Sequence, residues 1–317
     1  MTRLFPFLSL LLVAPAWSQP SVPANAAIAA PTSASSSTSL GPLDYVCPMD
    51  ADVRSDKAGV CPRCGMTLRL GIADQSEFPL ELITEPAVLR PRQHVRMTFA
   101  LKNPKTGSVV KHFQIVHEKL FHMFIVSGDL KYFLHDHPVP QPDGTFVFDQ
   151  VFPKAGMYRV VADIYPTSGS PQLIARTLFV TPADNELVSL AENTLAPDEG
   201  SQHGQNTDVE LSLSPQIPIA GYKTLFFLKF KQTDGMQKYL GAWAHMLIAS
   251  DDAVDLIHEH PFIADGGEKM QFNLVFPRAR TYRIWVQFQR NNVVNTVSFN
   301  VPVLDLEHAA AKGITVN

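Results

Sequence analysis

Histidines recur at two places in the chain with a spacing that suits metal binding. In each, one histidine is followed thirteen and fifteen positions later by the two histidines of a His-acid-His-Pro run. The two sets are His122, His135 and His137, and His245, His258 and His260. Because side chains two apart in a strand face the same way, each set predicts three imidazoles converging at one edge of a hairpin. Three imidazoles suit cupric ion or zinc, with one coordination position left open.

The same residues have a second interpretation, which requires no metal. Paired histidines can donate hydrogen bonds to backbone carbonyls and hold a strand end in place. Duplication does not decide between the two, because an inherited repeat preserves a scaffold as readily as a site. Met123 and Met246 follow the first histidine of each set, so strand alternation predicts that they point into a core. His117 is a further candidate for the first set, although Leu240 occupies its position in the second.

The other histidines lack repeated counterparts and are predicted to be surface or packing residues. They are His94, His112, His203 and His308.

All three cysteines fall in one window near the N-terminus, at Cys47, Cys61 and Cys64. An odd number of cysteines does not make a closed disulfide framework, which favours metal ligation or a reduced thiol. The alternative is a disulfide between Cys61 and Cys64. The short segment that contains these cysteines is too small to bury a hydrophobic core unaided, and a bound metal would supply the missing stability.

The residues around the cysteines resemble a known family. Tyr45-Val-Cys-Pro-Met49 and Gly59-Val-Cys-Pro-Arg-Cys-Gly-Met-Thr-Leu68 are similar to the heavy-metal binding domain of copper-transporting P-type ATPases and of some periplasmic metal-efflux subunits. The resemblance spans about Asp44 to Leu70. It implies that the three cysteines are ligands, and the thioethers of Met49 and Met66 would favour cuprous ion. Family members usually carry histidine after Cys-Pro-Met, where this chain has Asp50, and a carboxylate suits zinc better than cuprous ion.

Two later segments of about 100 residues repeat one strand order. Phe148-x2-Val-Phe-Pro-x4-Tyr158 in the first matches Phe272-x2-Val-Phe-Pro-x4-Tyr282 in the second. The strands are short and rich in aromatic and β-branched residues, and turn sequences such as Asp265-Gly-Gly separate them. The chain is therefore predicted to be all-β, with two tandem antiparallel β-sandwiches of immunoglobulin-like or cupredoxin-like type after a small cysteine module.

Composition sets the remaining boundaries. The predicted segments are a signal peptide (1–18), a disordered linker (19–42), the metal-binding module (43–72), the first sandwich (79–182), a linker (183–207), the second sandwich (208–303) and a C-terminal tail (304–317). One or two helical turns are allowed at Asn185–Asn193. The linker before the module is expected to let it swing between a partner and the sandwiches. No apolar run after the signal reaches the ~20 residues of a membrane span.

These features predict an exported protein, periplasmic or secreted, that binds copper or zinc. A net charge of -4 gives no argument for nucleic acid as a partner. The partners expected are metal ions and a metal-efflux component. Two alternatives stay open: an enzyme with a three-histidine metal centre, and an adhesion or scaffold protein. No nucleophile or acid-base pair accompanies the histidines, which favours a non-enzymatic protein.

Overall fold

The computed structural model describes residues 45–49, 53–55, 57–70, 77–167, 170–182, 194–264 and 269–314. All of them belong to one compact unit that runs from Pro42 to Asn317. The predicted signal peptide, the linker at 19–42, Asp50 and the segment Asn185–Asn193 lie outside these residues. The described part of the chain is built from antiparallel sheets with one short helix, so the predicted all-β fold is confirmed.

The cysteine module contains a small three-stranded sheet. Its strands are β1 (Tyr45–Val46), β2 (Arg54–Ser55) and β3 (Arg69–Leu70), with β1 in the centre. Between β2 and β3 the chain turns tightly at Gly65, whose backbone has φ of 77°. Such a φ is ordinary for glycine and costly for other residues.

The first repeat is a pair of four-stranded sheets. Its strands are β4 (Leu80–Glu85), β5 (His94–Leu101), β6 (Phe121–Ser127), β7 (Phe133–Asp136), β8 (Val139–Pro140), β9 (Phe146–Val151), β10 (Gly156–Ile164) and β11 (Gln172–Val180). One sheet has the order β4-β5-β9-β8 and the other has the order β11-β10-β6-β7. Between the sheets lies a core that includes Phe99, Met123, Phe146 and Tyr158.

The second repeat has the same strand order with additions. Its strands are β12 (Gln202–His203), β13 (Asp208–Ser214), β14 (Lys223–Phe230), β15 (Met236–Gln237), β16 (His245–Ser250), β17 (Leu256–Glu259), β18 (Ile263–Ala264), β19 (Lys269–Val275), β20 (Thr281–Arg290) and β21 (Val293–Pro302). One sheet is β12-β13-β14-β19-β18, and β21-β20-β16-β17 forms the other, with β15 also paired to β20. The pairing β21-β20-β16-β17 reproduces β11-β10-β6-β7 of the first repeat. The predicted repetition of two sandwiches is therefore present.

Two segments predicted as irregular contain regular structure. β12 lies inside the predicted linker 183–207 and extends a sheet of the second repeat. The predicted C-terminal tail contains the helix α1 (Leu306–Ala311), which is capped by the Asp305 side chain accepting from the His308 backbone N–H. A side-chain oxygen at this position satisfies a helix N–H that has no partner within the helix.

The two repeats pack against each other through the sheets that contain β6 and β16. Every residue of these two strands is buried. Met123 and Met246 point into the cores of their own repeats, as alternation predicted. Phe124 and Leu247, the next residues along the same two strands, point the other way and belong to a separate apolar cluster between the repeats. In that cluster the Phe133 and Trp285 rings stack, with centroids 5.2 Å apart.

Candidate metal centres

The cysteine module brings its three thiols together. Cys47 follows β1, and the turn ending at Gly65 holds Cys61 and Cys64, with the Gly65 backbone N–H donating to the Cys61 carbonyl at 2.8 Å. The thiols are at most 5% exposed, and their sulfurs lie within 4.8 Å of one another. The Sγ atoms of Cys47 and Cys64 are 3.5 Å apart. None of the three forms a disulfide in this structure, which argues against the alternative of a bridge between Cys61 and Cys64.

This spacing suits a shared metal ion. Sulfurs bound to one tetrahedral ion through bonds of ~2.3 Å lie ~3.8 Å apart, whereas disulfide-bonded sulfurs lie at ~2.05 Å. The thioether of Met66 is buried beside the thiols, and Met49 packs against the same cluster. Tyr165 donates a hydrogen bond from its Oη to Met49 Sδ at 3.0 Å. The structure thus places both predicted methionines at the cysteine cluster.

The module packs onto the sandwiches. Val116 and Tyr165 of the first repeat complete the apolar cluster around the cysteines. The Thr67 backbone N–H donates to Gln114 Oε1 at 3.3 Å. Toward the second repeat, the Arg63 guanidinium lies 4.3 Å from the centroid of the Phe262 ring. The structure therefore shows the module docked on the sandwiches, and its movement between a partner and the sandwiches stays a prediction.

The first histidine set converges as its spacing predicted. His122 comes from β6 and His135 from β7, and His137 follows β7 directly. His122 Nδ1 lies 3.3 Å from His135 Nε2 and 3.2 Å from His137 Nε2. Two nitrogens bound to one tetrahedral ion through bonds of ~2.0 Å lie ~3.3 Å apart. The first set has this spacing.

The second set repeats the arrangement. His245 lies on β16, His258 on β17, and His260 just beyond it. His245 Nδ1 is 3.0 Å from His260 Nε2, and the ligand atoms of all three residues lie within 4.8 Å of one another. His258 Nε2 is buried and has no hydrogen-bond partner. A buried polar atom without a partner is costly and is typical of a position that a ligand satisfies.

In each of three histidines, a hydrogen bond at one ring nitrogen determines that the other ring nitrogen carries the lone pair. His122 Nε2 lies 2.9 Å from the Val116 carbonyl, and His245 Nε2 lies 3.0 Å from the Tyr239 carbonyl. A carbonyl only accepts, so both rings donate through Nε2, which leaves Nδ1 bare in a neutral imidazole. His135 donates through Nδ1 to Gln287 Oε1 at 2.8 Å, which leaves its Nε2 bare. Bare nitrogens of His122 and His135 therefore face each other at 3.3 Å, where a cation removes their repulsion.

Burial keeps these rings neutral. Desolvation lowers the pKa of His122 to about 4 and that of His137 to about 3. It also lowers the pKa values of His135, His245 and His260 well below their ordinary range. Neutral imidazole is the form that binds metal. These histidines are therefore available as ligands at neutral pH without losing a proton.

The two sets meet at the junction between the repeats. The rings of His122 and His245 stack with centroids 5.5 Å apart, and those of His135 and His245 lie at 5.2 Å. His117, predicted as a further candidate for the first set, lies closer to the second. Its ring centroid is 3.9 Å from that of His260 and 6.3 Å from that of His122.

Hydrogen bonds cross the junction in a reciprocal way. His135 of the first repeat binds Gln287 of the second, and His258 of the second repeat binds Asp163 of the first, with 2.5 Å between Nδ1 and Oδ2. Asp163 pairs with His122 in the sheet register, and Gln287 pairs with His245, so they occupy equivalent positions. Burial disfavours the Asp163 charge, yet the hydrogen bond from His258 holds the pKa of Asp163 below its ordinary value. The second set thus has a carboxylate behind it, and the first has a neutral amide.

Sequence reasoning missed Asp163, Gln287 and Tyr165, which support the candidate ligands without belonging to their motifs. One signal was available: Phe121–Val126 and Ala244–Ala249 are almost continuously apolar, as in strands buried on both faces. The four histidines without repeated counterparts lie away from both sets. His94 and His112 are exposed, and His203 and His308 pair with the nearby carboxylates of Asp208 and Asp305.

Comparison with known families identifies both parts of the chain. Residues 74–181 and 202–305 each match a family described as a domain of unknown function (DUF8832), and together they cover more than half of the sequence. The chain belongs to this family. The two DUF8832 matches coincide with the two repeated sandwiches. Residues 45–69 match the heavy metal binding domain, which confirms the resemblance seen around the cysteines.

Solved structures show only remote likeness. The Escherichia coli adhesin FdeC is 10% identical over 75% of this chain and 69% of its own, with a TM-score of 0.25. The Yersinia pseudotuberculosis adhesin InvE is 9% identical over 71% of this chain and 60% of its own, with a TM-score of 0.24. Salmonella alpha-2-macroglobulin is 9% identical over 73% of this chain and 15% of its own, also with a TM-score of 0.24. Scores this low carry no argument about function.

No curated protein matches the chain. The two families matched are described as a domain of unknown function and as a heavy metal binding domain. In the part of the chain that the structure describes, no helix combines the length and the apolar character of a membrane span.

Proposed function

We propose that this chain is an exported metal-binding protein that captures copper and hands it on in metal resistance or homeostasis. The observation that carries the proposal is the presence of three clustered, buried thiols and two histidine triplets, buried or partly buried, in one compact unit. The metal ion is treated as cargo, received by one set of ligands and released to another or to a partner. A metal-efflux component is the partner we propose.

Ligand chemistry favours copper over a single-state ion such as zinc. Thiolates and thioethers are soft ligands that suit cuprous ion, and Met49 and Met66 both lie at the cysteine cluster. Imidazoles suit cupric ion and also zinc. A protein with both ligand types can hold copper in either oxidation state. Zinc on the histidines alone is the competing outcome that metal titration would reveal.

Export is supported by the sequence of the first eighteen residues. Arg3 precedes an apolar run from Leu4 to Ala14, and Ala16-Trp-Ser18 fits a small-x-small cleavage site. Three buried cysteines without a disulfide fit an exported protein if a metal ion protects the thiolates from oxidation. We therefore place the protein in the periplasm or outside the cell.

The test is metal stoichiometry of the purified protein and of two triple variants. One carries H122A, H135A and H137A, and the other carries C47S, C61S and C64S. Each variant is expected to lose about one equivalent of tightly bound copper, because each removes one complete ligand set. The H94A variant is the control, since His94 is exposed on β5 away from both sets.

Unchanged stoichiometry in the histidine variant would remove the sandwich site from the account. If neither variant nor the parent protein retained copper or zinc, the metal function itself would be wrong. The scaffold alternative would then be the better description of the paired sandwiches. Circular dichroism of each variant shows whether a loss of metal reflects a loss of fold.

A further inference from the structure

Two cavities are lined by residues of both the cysteine module and the second histidine triplet. The larger, of about 740 Å³, is lined by Met49, Asp163, Tyr165 and His258, among others. The other, of about 650 Å³, is lined by Met49 and Cys64 of the module together with His117, His258 and His260. His258 and Met49 line both. None of the three histidines of the first triplet lines either cavity.

The 650 Å³ cavity is lined by soft sulfur ligands as well as by imidazoles. The module contributes a thiol and a thioether, and His117, His258 and His260 contribute three imidazoles. Cuprous ion binds thiolate, thioether and imidazole, and imidazole is the hardest of these three ligands. The cavity therefore offers cuprous ion potential ligands on both the cysteine module and the second triplet.

The packing of the module holds the cysteine turn at this cavity. Arg63, next to Cys64, lies over the Phe262 ring, and Phe262 is two residues after His260. His117 comes from the first repeat, yet its ring lies beside that of His260. The module thus contacts the first repeat through Val116 and Tyr165, while Cys64 lines the cavity that His258 and His260 also line.

We propose that the two histidine triplets have different sources of metal: the cysteine module delivers cuprous ion to His258 and His260, and the first triplet, which lines neither cavity, does not receive its ion from the module. This rests on the proposed function. In the transfer, copper to sulfur bonds break and copper to nitrogen bonds form. Copper stays cuprous throughout, and the released thiolates take protons from water. His117 and Met49 bind the ion transiently between the two ends of the cavity.

The experiment follows metal arrival at individual imidazoles. Protein labelled with nitrogen-15 in histidine receives cuprous ion from a weak chelator under anaerobic conditions, and ring nitrogen resonances are recorded over time. We expect His258 and His260 to shift at least tenfold faster in the parent protein than in the C47S/C61S/C64S variant. The rate at which His135 and His137 shift should be the same in both proteins.

A second pair of variants tests the route with all cysteines and histidines in place. M49L keeps the volume of the side chain but removes the thioether from both cavities, and it is expected to slow filling of the second triplet severalfold. M157L is the matched control, because Met157 packs between the repeats and lines neither cavity. It should leave the rate unchanged.

The outcomes separate this proposal from the function on which it rests. Equal acceleration of both triplets by the cysteines, or earlier filling of the first triplet, overturns the route. The same holds if M49L fills the second triplet as fast as M157L. Absence of both copper-thiolate absorption and imidazole shifts would instead refute the metal function, and with it the route.

Discussion

Asparagine in place of Asp163 should weaken metal binding at the second triplet only. The Asp163 carboxylate accepts from His258 Nδ1 at 2.5 Å, and the two side chains are 7% and 1% exposed. A carboxylate in this position orients a ligand imidazole and makes its other nitrogen a better donor. Asparagine can still accept the hydrogen bond, but it lacks the negative charge that balances a bound cation.

Loss of such a partner typically lowers metal affinity 10- to 100-fold, which corresponds to ~1.4 to 2.7 kcal/mol. The assay is competition between the D163N protein and a chromophoric chelator for cupric ion or zinc. The assay uses a protein that also carries H122A, H135A and H137A, so that the histidine site whose metal affinity is measured is the second triplet. Circular dichroism confirms the fold of each variant.

The equivalent residue of the other repeat offers a matched variant. Gln287 accepts from His135 as a neutral amide, so Q287E should strengthen metal binding at the first triplet. The reasoning is refuted if D163N leaves the affinity of the second triplet within about twofold of the parent. It is refuted also if D163N weakens the first triplet equally, measured in the matching background with H245A, H258A and H260A, since that result would indicate a general loss of packing at the junction.

Three further predictions concern the thiols, the acid response and the junction. C64S should lower cuprous affinity at the module by at least tenfold in chelator competition, and an unchanged affinity would place the ion elsewhere. The unfolding free energy of the metal-free protein, measured in urea, should fall as pH drops from about 6.5 to about 4. The reason is that His122 has a pKa of about 4 in the folded state against an ordinary 6.5, so the unfolded chain takes up the proton first. A flat profile would contradict the burial of neutral histidines. W285A should destabilise the protein by ~3 kcal/mol in the same assay, since Trp285 is 4% exposed and stacks on Phe133. A change below ~1 kcal/mol would show that the packing of the repeats does not depend on this contact.

Much of the fold could be predicted because its signals are local. Strand alternation placed Met123 and Met246 in their cores, and the spacing of His122, His135 and His137 was enough to bring three rings together across one hairpin. The cysteine motif predicted a thiol cluster for the same reason, since its ligands lie within one short segment. The immunoglobulin-like or cupredoxin-like type, the domain boundaries and the identity of each ligand stay predictions.

The missing part of the site depends on contacts between distant segments. Asp163 reaches His258 and Gln287 reaches His135 only because the two repeats pack face to face, and no spacing within one repeat encodes that. His117 was assigned to the nearer set in sequence, whereas the junction brings it to His260. The docking of the module was missed for the same reason, since the Arg63 contact with Phe262 joins residues from opposite parts of the chain.

X-ray absorption spectroscopy of the copper-loaded protein shows directly whether the thiols and both histidine triplets bind copper. With one equivalent of cuprous ion, we expect sulfur neighbours from the cysteine cluster at ~2.3 Å from the copper. As loading approaches three equivalents, nitrogen neighbours at ~2.0 Å should join them in a number that falls by about half when one histidine triplet is replaced by alanine. Nitrogen neighbours that persist unchanged in both triplet variants, or copper bound without sulfur at the first equivalent, would contradict it.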